Sequence, residues 1–320
     1  MKWISSIASL LGFNKKPMSE KPSLKHFVCC AGGLRALFGC AGAMYGLESR
    51  GMKEWRTIGG VSGGAIPALI IASGMSAHEM MQRLMQLDMK LFMTSSKRFF
   101  RVLLSYMRQD KTNYLPDTAI MDSTQLGQLL ESMVPSWPKG FWTMAVTFLP
   151  EKEGFCQVLF TDHGVFLYHR DGSCEQLSDK PASVSLALRA TCAVPGLIGH
   201  VEYMGMRLYD GMLSWDGHCP IGMVTRHFEA APQDIWACDV APELHGFSAT
   251  NKFLDYWTHP DGRTAKIKDM MDEWERKGVT ILKAPITEFD PMDLSLSQSK
   301  RTLAFQKAWT AVAEKFKKAA

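Results

Sequence analysis

The most reactive arrangement in the sequence is Gly60-Val61-Ser62-Gly63-Gly64, a serine set among glycines in the pattern G-x-S-x-G. Extended residues precede it from Arg56, and an apolar helical stretch follows from Ala65 to Ala72. In that setting the glycines Gly60 and Gly64 let the chain turn sharply from strand to helix, lifting the serine Oγ above a sheet at a helix N-terminus. Unpaired N–H groups and the helix dipole favour negative charge there. The plainer reading is a βα turn with an ordinary serine cap. A second such turn, Ala31-Gly32-Gly33-Leu34-Arg35, follows the apolar run His26 to Cys30. Its backbone N–H groups at Gly32, Gly33 and Leu34 have the disposition of an oxyanion hole. A phosphate-binding turn is the alternative, but no G-x-G-x-x-G is present and no Gly-Lys-Ser/Thr follows. Arg35 fits either a headgroup phosphate or a loop-fixing role. The third piece is Asp210-Gly211, where extended Arg207-Leu208-Tyr209 delivers a carboxylate to a strand end, the place where α/β sheets open their ligand crevice. Asp-Gly is also a common turn, as Asp171-Gly172, Asp216-Gly217 and Asp261-Gly262 illustrate.

The elements that must position these groups follow from hydrophobic period. Leu34, Leu37, Phe38, Ala41 and Tyr45 lie on one helical face, with Gly51 closing the segment. Ser76-Ala77-His78-Glu79 is a capping-box pattern, opening a helix whose stripe is Met80, Leu84, Leu87 and Leu91. Phe141 to Leu149, Phe155 to Phe160 and Gly164 to His169 are rich in β-formers, the last two as a hairpin. Pro181 to Leu188 reads as a helix, Asp234 to Val240 and Val279 to Ile286 as strands, and 301 to 317 as a final amphipathic helix. Strands alternating with helices imply an α/β fold with a largely parallel central sheet flanked by helices. Residues 25–320 form one domain, with 1–24 as an N-terminal leader.

Composition narrows the class. Hydrophobic residues make up 46% and charged residues 21% of the 320, ordinary globular usage. A net charge of +4 without a concentrated basic face gives no support to nucleic-acid binding. The 8 cysteines form no CxxC pair and mostly sit in apolar stretches, as free thiols of a reducing, cytoplasmic compartment do. No run approaches the ~18 apolar residues of a membrane span. In the leader, Ser5, Ser6 and Ser9 interrupt the apolar stretch and no small-x-small cleavage site follows. An amphipathic surface helix through Trp3, Ile4, Ile7, Leu10 and Leu11 is therefore expected there rather than export. His200, His218 and Cys219 match no zinc spacing, and neither a metal nor an organic cofactor is expected.

Taken together, these pieces resemble the patatin-like phospholipases, lipid acyl hydrolases with a Ser–Asp dyad and no catalytic histidine. The matching blocks are Gly32-Gly33-Leu34-Arg35, Gly60 to Gly64, Arg189-Ala190-Thr191-Cys192-Ala193-Val194-Pro195-Gly196 and Asp210-Gly211-Met212. Their order and spacing agree over roughly residues 25 to 240. The departures are Ala31 and Ala36 at usual glycines, Met212 at the last glycine of the dyad motif, and a longer path from Asp210 to Pro220 that makes Asp216 a rival carboxylate. The resemblance implies a patatin-like three-layer α/β/α fold, with Ser62 as nucleophile, Asp210 as general base and Gly32/Gly33 amides holding the oxyanion. A carboxylate is a feeble base in water, so such a site must be partly desolvated. A Ser–Asp–His triad through His218 is the mechanistic rival.

A phospholipid or lysophospholipid substrate is implied by the resemblance. Peripheral membrane contact fits the basic amphipathic segments: one with Lys97, Arg101 and Arg108 opposite Phe99, Leu103 and Tyr106, and the last helix with Phe305, Trp309, Val312 and Phe316. A core-packed cap is the other reading of each. An acyltransferase with a non-water acceptor and a catalytically silent lipid-binding module are the functional alternatives.

Overall fold

Lys25–Cys29 (β1) alternates badly for a half-exposed strand because it is buried on both faces, as the inner strands of a parallel sheet are. The computed structural model of the chain describes residues 24–88, 119–149, 154–240 and 263–318. Nearly all of the leader and the Lys97–Arg108 segment lie outside those residues. β1 ends in a turn at Gly32 and Gly33, φ 150° and 54°, and enters the helix Gly33–Glu48 (α1). α1 is apolar and buried almost all round, the signature of a helix covered on both sides. Trp55–Gly60 (β2) then leads through a single 3-10 turn at Ser62–Gly64 into Ala65–Ala72 (α2). Ala77–Gln86 (α3) follows, with the Ser76 side chain accepting the Glu79 N–H at 3.2 Å, one half of the expected capping box.

After Thr124–Met133 (α4) the chain forms Phe141–Leu149 (β3), Gly154–Thr161 (β4), Gly164–Tyr168 (β5) and Cys174–Ser178 (β6). Val184–Thr191 (α5), Val201–Tyr203 (β7), Met206–Asp210 (β8) and Ile221–His227 (α6) precede Ile235–Asp239 (β9). Arg263–Arg276 (α7), Thr280–Lys283 (β10) and Gln298–Lys318 (α8) complete the described chain. The helix expected at 181–188 sits three residues later because Ser183, not Pro181, caps it, accepting the Leu186 N–H at 3.1 Å.

Among the described residues one mixed sheet runs in the order β10-β9-β1-β2-β3-β4-β5-β6. Its β10-β9-β1-β2-β3 portion is parallel, as the alternating strands and helices imply. From β3 outward the sheet is antiparallel, because links as short as Asp162-His163 cannot carry a crossover. β3 is long enough to serve two partners on one flank. Its Phe141–Thr143 pair with Ile58–Gly60 of β2, and its Ala145–Thr147 pair with Asp210–Leu208 of β8 running the other way. β4 occupies the opposite flank of β3, so β2 and β8 meet end to end beside Met144.

Two packing layers follow. The main core gathers β1, β2, β9, α1, α2 and α8, and a second cluster around Ala145, Val158, Phe160, Ala187 and Leu208 fills the antiparallel side beneath α5. α8 lies directly on α1, so close that a Cβ on Gly42 would strike the Phe305 backbone carbonyl. Its Phe305 and Val312 are buried, and Phe305 and Trp309 meet the Tyr45 ring at 5.3 and 6.1 Å. The apolar face of this helix is therefore spent on the core, and the core-packed reading replaces the membrane reading for it. Arg301 ties α8 to the end of α3, donating to the Met85 and Leu87 carbonyls at 3.1 and 2.9 Å. Seven of the cysteines are buried free thiols and Cys174 is an exposed one. No helix among the described residues is long and apolar enough to cross a membrane.

Candidate active site

Ser62 occupies the left-handed region at φ 57°, a conformation that costs a non-glycine residue on the order of 1–3 kcal/mol and survives only where its surroundings over-determine it. Those surroundings are specific. The Ser62 N–H donates to Thr191 Oγ1 at 2.9 Å, and that hydroxyl donates in turn to the Met144 carbonyl at 2.6 Å. Thr191 is the last residue of α5, and Met144 is the β3 residue lying between the ends of β2 and β8. The elbow is thus bolted to β3 at the point where β2 and β8 meet.

Across that junction the Ser62 hydroxyl donates to Asp210 Oδ2 at 2.7 Å. The other carboxylate oxygen accepts the Met212 N–H at 2.9 Å, fixing the carboxyl plane. Ser62 is 4% exposed and Asp210 is fully buried. The neighbouring Cys192 thiol is pushed well above its ordinary pKa by burial, with the Asp210 charge adding to the effect. The region is one where a thiol stays protonated and a hydrogen bond to an oxyanion is strong.

The glycine loop comes to the elbow by backbone contact: a Cβ on Gly63 would fall on the Gly33 carbonyl, so only glycine lets the two turns touch. Among the described residues, no backbone carbonyl outside the helices and strands takes the N–H of Gly32, Gly33 or Gly63. Leu34 differs. Its N–H donates to the Pro291 carbonyl at 2.8 Å, so the expectation of a third oxyanion donor at Leu34 is corrected: in this arrangement that hydrogen is spent. Arg35 also departs from the substrate-binding expectation. It is 8% exposed, its Nε donates to the Phe289 carbonyl at 2.7 Å, and burial lowers its pKa against the charges of Asp290 and Glu288. It fastens the 288–291 segment against the loop rather than facing a ligand.

Neither rival residue reaches Ser62. Asp216 is tied to Gln157 Nε2, to Arg226 Nη2 at 3.3 Å and to Ser214 Oγ at 3.4 Å, with burial raising its pKa. His218 Nε2 pairs with Asp239 Oδ1 at 2.9 Å, so the Ser–Asp–His triad is not assembled. His200 packs on the Tyr209 ring. Sequence reasoning missed three contributors. Gly63 was signalled by its position directly after the elbow serine, where the N–H of a nucleophile elbow points to the oxyanion. Thr191 lay in the quoted 189–196 block without a role. Pro291 carried no signal at all.

A family model described as patatin-like phospholipase matches residues 27–217, a span that holds the glycine loop, the elbow, Thr191 and Asp210. A search of curated proteins finds no match. Among solved structures, VipD from Legionella pneumophila is similar at a TM-score of 0.50 and 13% identity, over 92% of this chain and 66% of that one. Human GIVD cytosolic phospholipase A2 in complex with methyl gamma-linolenyl fluorophosphonate gives 0.40 and 11%, over 96% and 59%. The same human enzyme alone gives 0.30 and 11%, over 58% and 30%. The chain therefore spans less than two thirds of each of these proteins, and at 13% identity the likeness to VipD is one of fold.

Proposed function

The chain belongs to the patatin-like phospholipase family, and on that premise we propose that it is a lipid acyl hydrolase of the phospholipase A or lysophospholipase type. Asp210 takes the proton of Ser62 Oγ along their hydrogen bond as the oxygen attacks an ester carbonyl. The N–H groups of Gly32, Gly33 and Gly63 receive the negative charge of the tetrahedral intermediate, each donor contributing about 2.7–4 kcal/mol to lowering the barrier. Asp210 returns the proton to the departing alcohol, leaving an acyl ester on Ser62. Water, deprotonated by the same carboxylate, then attacks the acyl ester, and Asp210 passes that proton to Ser62 Oγ as the fatty acid leaves.

One observation carries this reading: two buried side chains 148 residues apart in sequence share a 2.7 Å hydrogen bond, with the serine in a strained backbone conformation. Met212 N–H supports the dyad by keeping the carboxylate oriented when Oδ2 takes the proton. A phospholipid or lysophospholipid is the substrate class, and the physiological surface is a membrane or micelle.

The test is fatty-acid release from phospholipid and lysophospholipid vesicles by the purified chain and by its Ser62→Ala variant. The variant is expected to lose at least about 10^4-fold in rate, as nucleophile removal does in serine hydrolases. Undiminished release by Ser62→Ala would overturn the assignment.

A further inference from the structure

β1 and β9 run side by side and parallel, with Cys29 opposite Cys238. The residues that follow this pair, Cys30 and Asp239, therefore stand opposite one another at the C-terminal ends of the two strands. A third group joins them from a distant loop. The Ala31 N–H donates to the His218 carbonyl at 2.6 Å, and this brings the imidazole over the strand ends, with Nε2 2.9 Å from Asp239 Oδ1. One ligand atom from each of Cys30, His218 and Asp239 lies within 4.8 Å of the other two.

We propose that Cys30, His218 and Asp239 form a binding site for one thiophilic divalent cation, with Zn2+ as the ion its donor set fits. A thiolate, an imidazole and a carboxylate are the three side-chain donors that zinc takes, at bond lengths of about 2.0–2.3 Å. Tetrahedral angles with those bonds put neighbouring donor atoms about 3.4–3.6 Å apart, so closure from the observed spread needs a shift of about an ångström. The site's charge suits a cation. The Asp239 carboxylate supplies the negative charge beside the fully buried Cys30 thiol. The bound ion must then displace one proton: Cys30 S–H gives up its hydrogen to solvent as the sulfur–metal bond forms, the hydrogen between His218 Nε2 and Asp239 passes to Nδ1 so that Nε2 can bind, and no oxidation state changes. Solvent reaches the cluster only at the His218 and Asp239 side chains, which keep 9% and 13% exposure. No spacing rule could have disclosed these ligands, since positions 30, 218 and 239 come from three separate parts of the chain. The family match ends at residue 217, short of two of them.

The site is separate from the serine machinery, yet it shares a joint with it. Ala31, held by the His218 carbonyl, immediately precedes the Gly32 turn. A loaded site clamps the stem of that turn.

The experiment uses the full chain carrying Cys174→Ser, which removes the exposed thiol, after stripping with a chelator. Titration with Zn2+ is expected to give one ion per chain and a raised thermal midpoint. Co2+ in place of Zn2+ is expected to show thiolate-to-metal charge-transfer absorbance. Cys30→Ser abolishes that absorbance, and His218→Gln and Asp239→Asn each weaken Zn2+ binding at least about tenfold, the least that even outer-shell partners of a metal cost. If Cys30→Ser does not fold, the parent's Co2+ spectrum and the other two variants still decide the matter. Three results overturn the proposal: no Zn2+ binding at micromolar concentration, a Co2+ complex lacking the thiolate band, or affinity unchanged by His218→Gln and Asp239→Asn. Each would leave His218–Asp239 as a hydrogen bond that only fastens the loop.

Discussion

Thr191 bonds two backbone groups with one hydroxyl, accepting from Ser62 and donating to Met144. Thr191→Val keeps the shape and strands both buried partners, at a cost of about 1–3 kcal/mol for each group left unsatisfied. We expect a comparable loss of stability in urea unfolding and a fall of kcat by about 10–100-fold, the scale on which small misplacements of a reacting group act. Thr191→Ser restores both. A kcat that falls equally in the serine variant would mean that the methyl group, not the hydroxyl, sets the elbow. Asp210→Asn is expected to reduce kcat by about 10^3–10^4-fold, while His218→Ala and Asp216→Asn leave it within an order of magnitude; a dead histidine variant beside a live Asp210→Asn would remove the dyad. Arg35→Ala tests a different distinction. Because its guanidinium holds the 288–291 segment, hydrolysis of a neutral p-nitrophenyl ester and of a phospholipid should fall by the same factor. A loss confined to the phospholipid would restore the headgroup role. At this scale the sequence was legible where a sharp strand-to-helix turn demands a particular backbone, as at Gly32 and Ser62, and where a strand ends in a carboxylate, as at Asp210. It was silent about Pro291, whose carbonyl meets Leu34 across the whole fold and needs no special residue type to do so.

Elements were legible where local pattern and tertiary burial agree. β1, β2 and α2 read plainly because an inner parallel strand must be apolar throughout and the glycines between strand and helix punctuate it. β6 went unread because Cys174-Glu175-Gln176-Leu177-Ser178 is an exposed edge, polar as edges must be to resist pairing with other chains. β7 is three residues long, too short for any period. The mixed character of the sheet was hidden for another reason: nothing in β8 itself says that it joins β3 on the flank β2 has just vacated. The α1–α8 contact yields a sharper expectation. Gly42→Ala pushes a methyl into the Phe305 backbone, which cannot rotate away, and overpacking of this kind costs about 1–3 kcal/mol. The midpoint in urea falls accordingly while kcat of the remaining folded protein stays within about twofold, since Gly42 lies more than two turns along α1 from the Gly33 turn. An unchanged midpoint would show that the two helices part freely.

Over the whole molecule, acid is expected to act through the interior rather than through the surface charge. His26 is 1% exposed, its Nδ1 is 2.7 Å from Thr57 Oγ1, and burial, with Arg56 assisting, lowers its pKa from 6.5 to about 4. The unfolded chain thus binds a proton between those values that the folded chain refuses, and stability declines as pH falls through that window. The full penalty, reached below pH 4, is roughly 3–3.5 kcal/mol at 1.36 kcal/mol per pKa unit. His227, also lowered by burial, adds to it with the same sign. Unfolding free energies measured from pH 7 to pH 4 are expected to show this fall, and His26→Gln to flatten most of it; an equally steep decline in the variant would locate the acid sensitivity elsewhere.

The meeting of β2 and β8 along β3 has a kinetic side. A bond spanning 148 residues closes only when the early parallel crossovers and the later antiparallel hairpins have both been threaded into place. Distant pairings of this sort are the slow ones in refolding. Renatured chains should accordingly regain helical circular dichroism first and turnover last, so that the reappearance of esterase signal times the completion of the sheet.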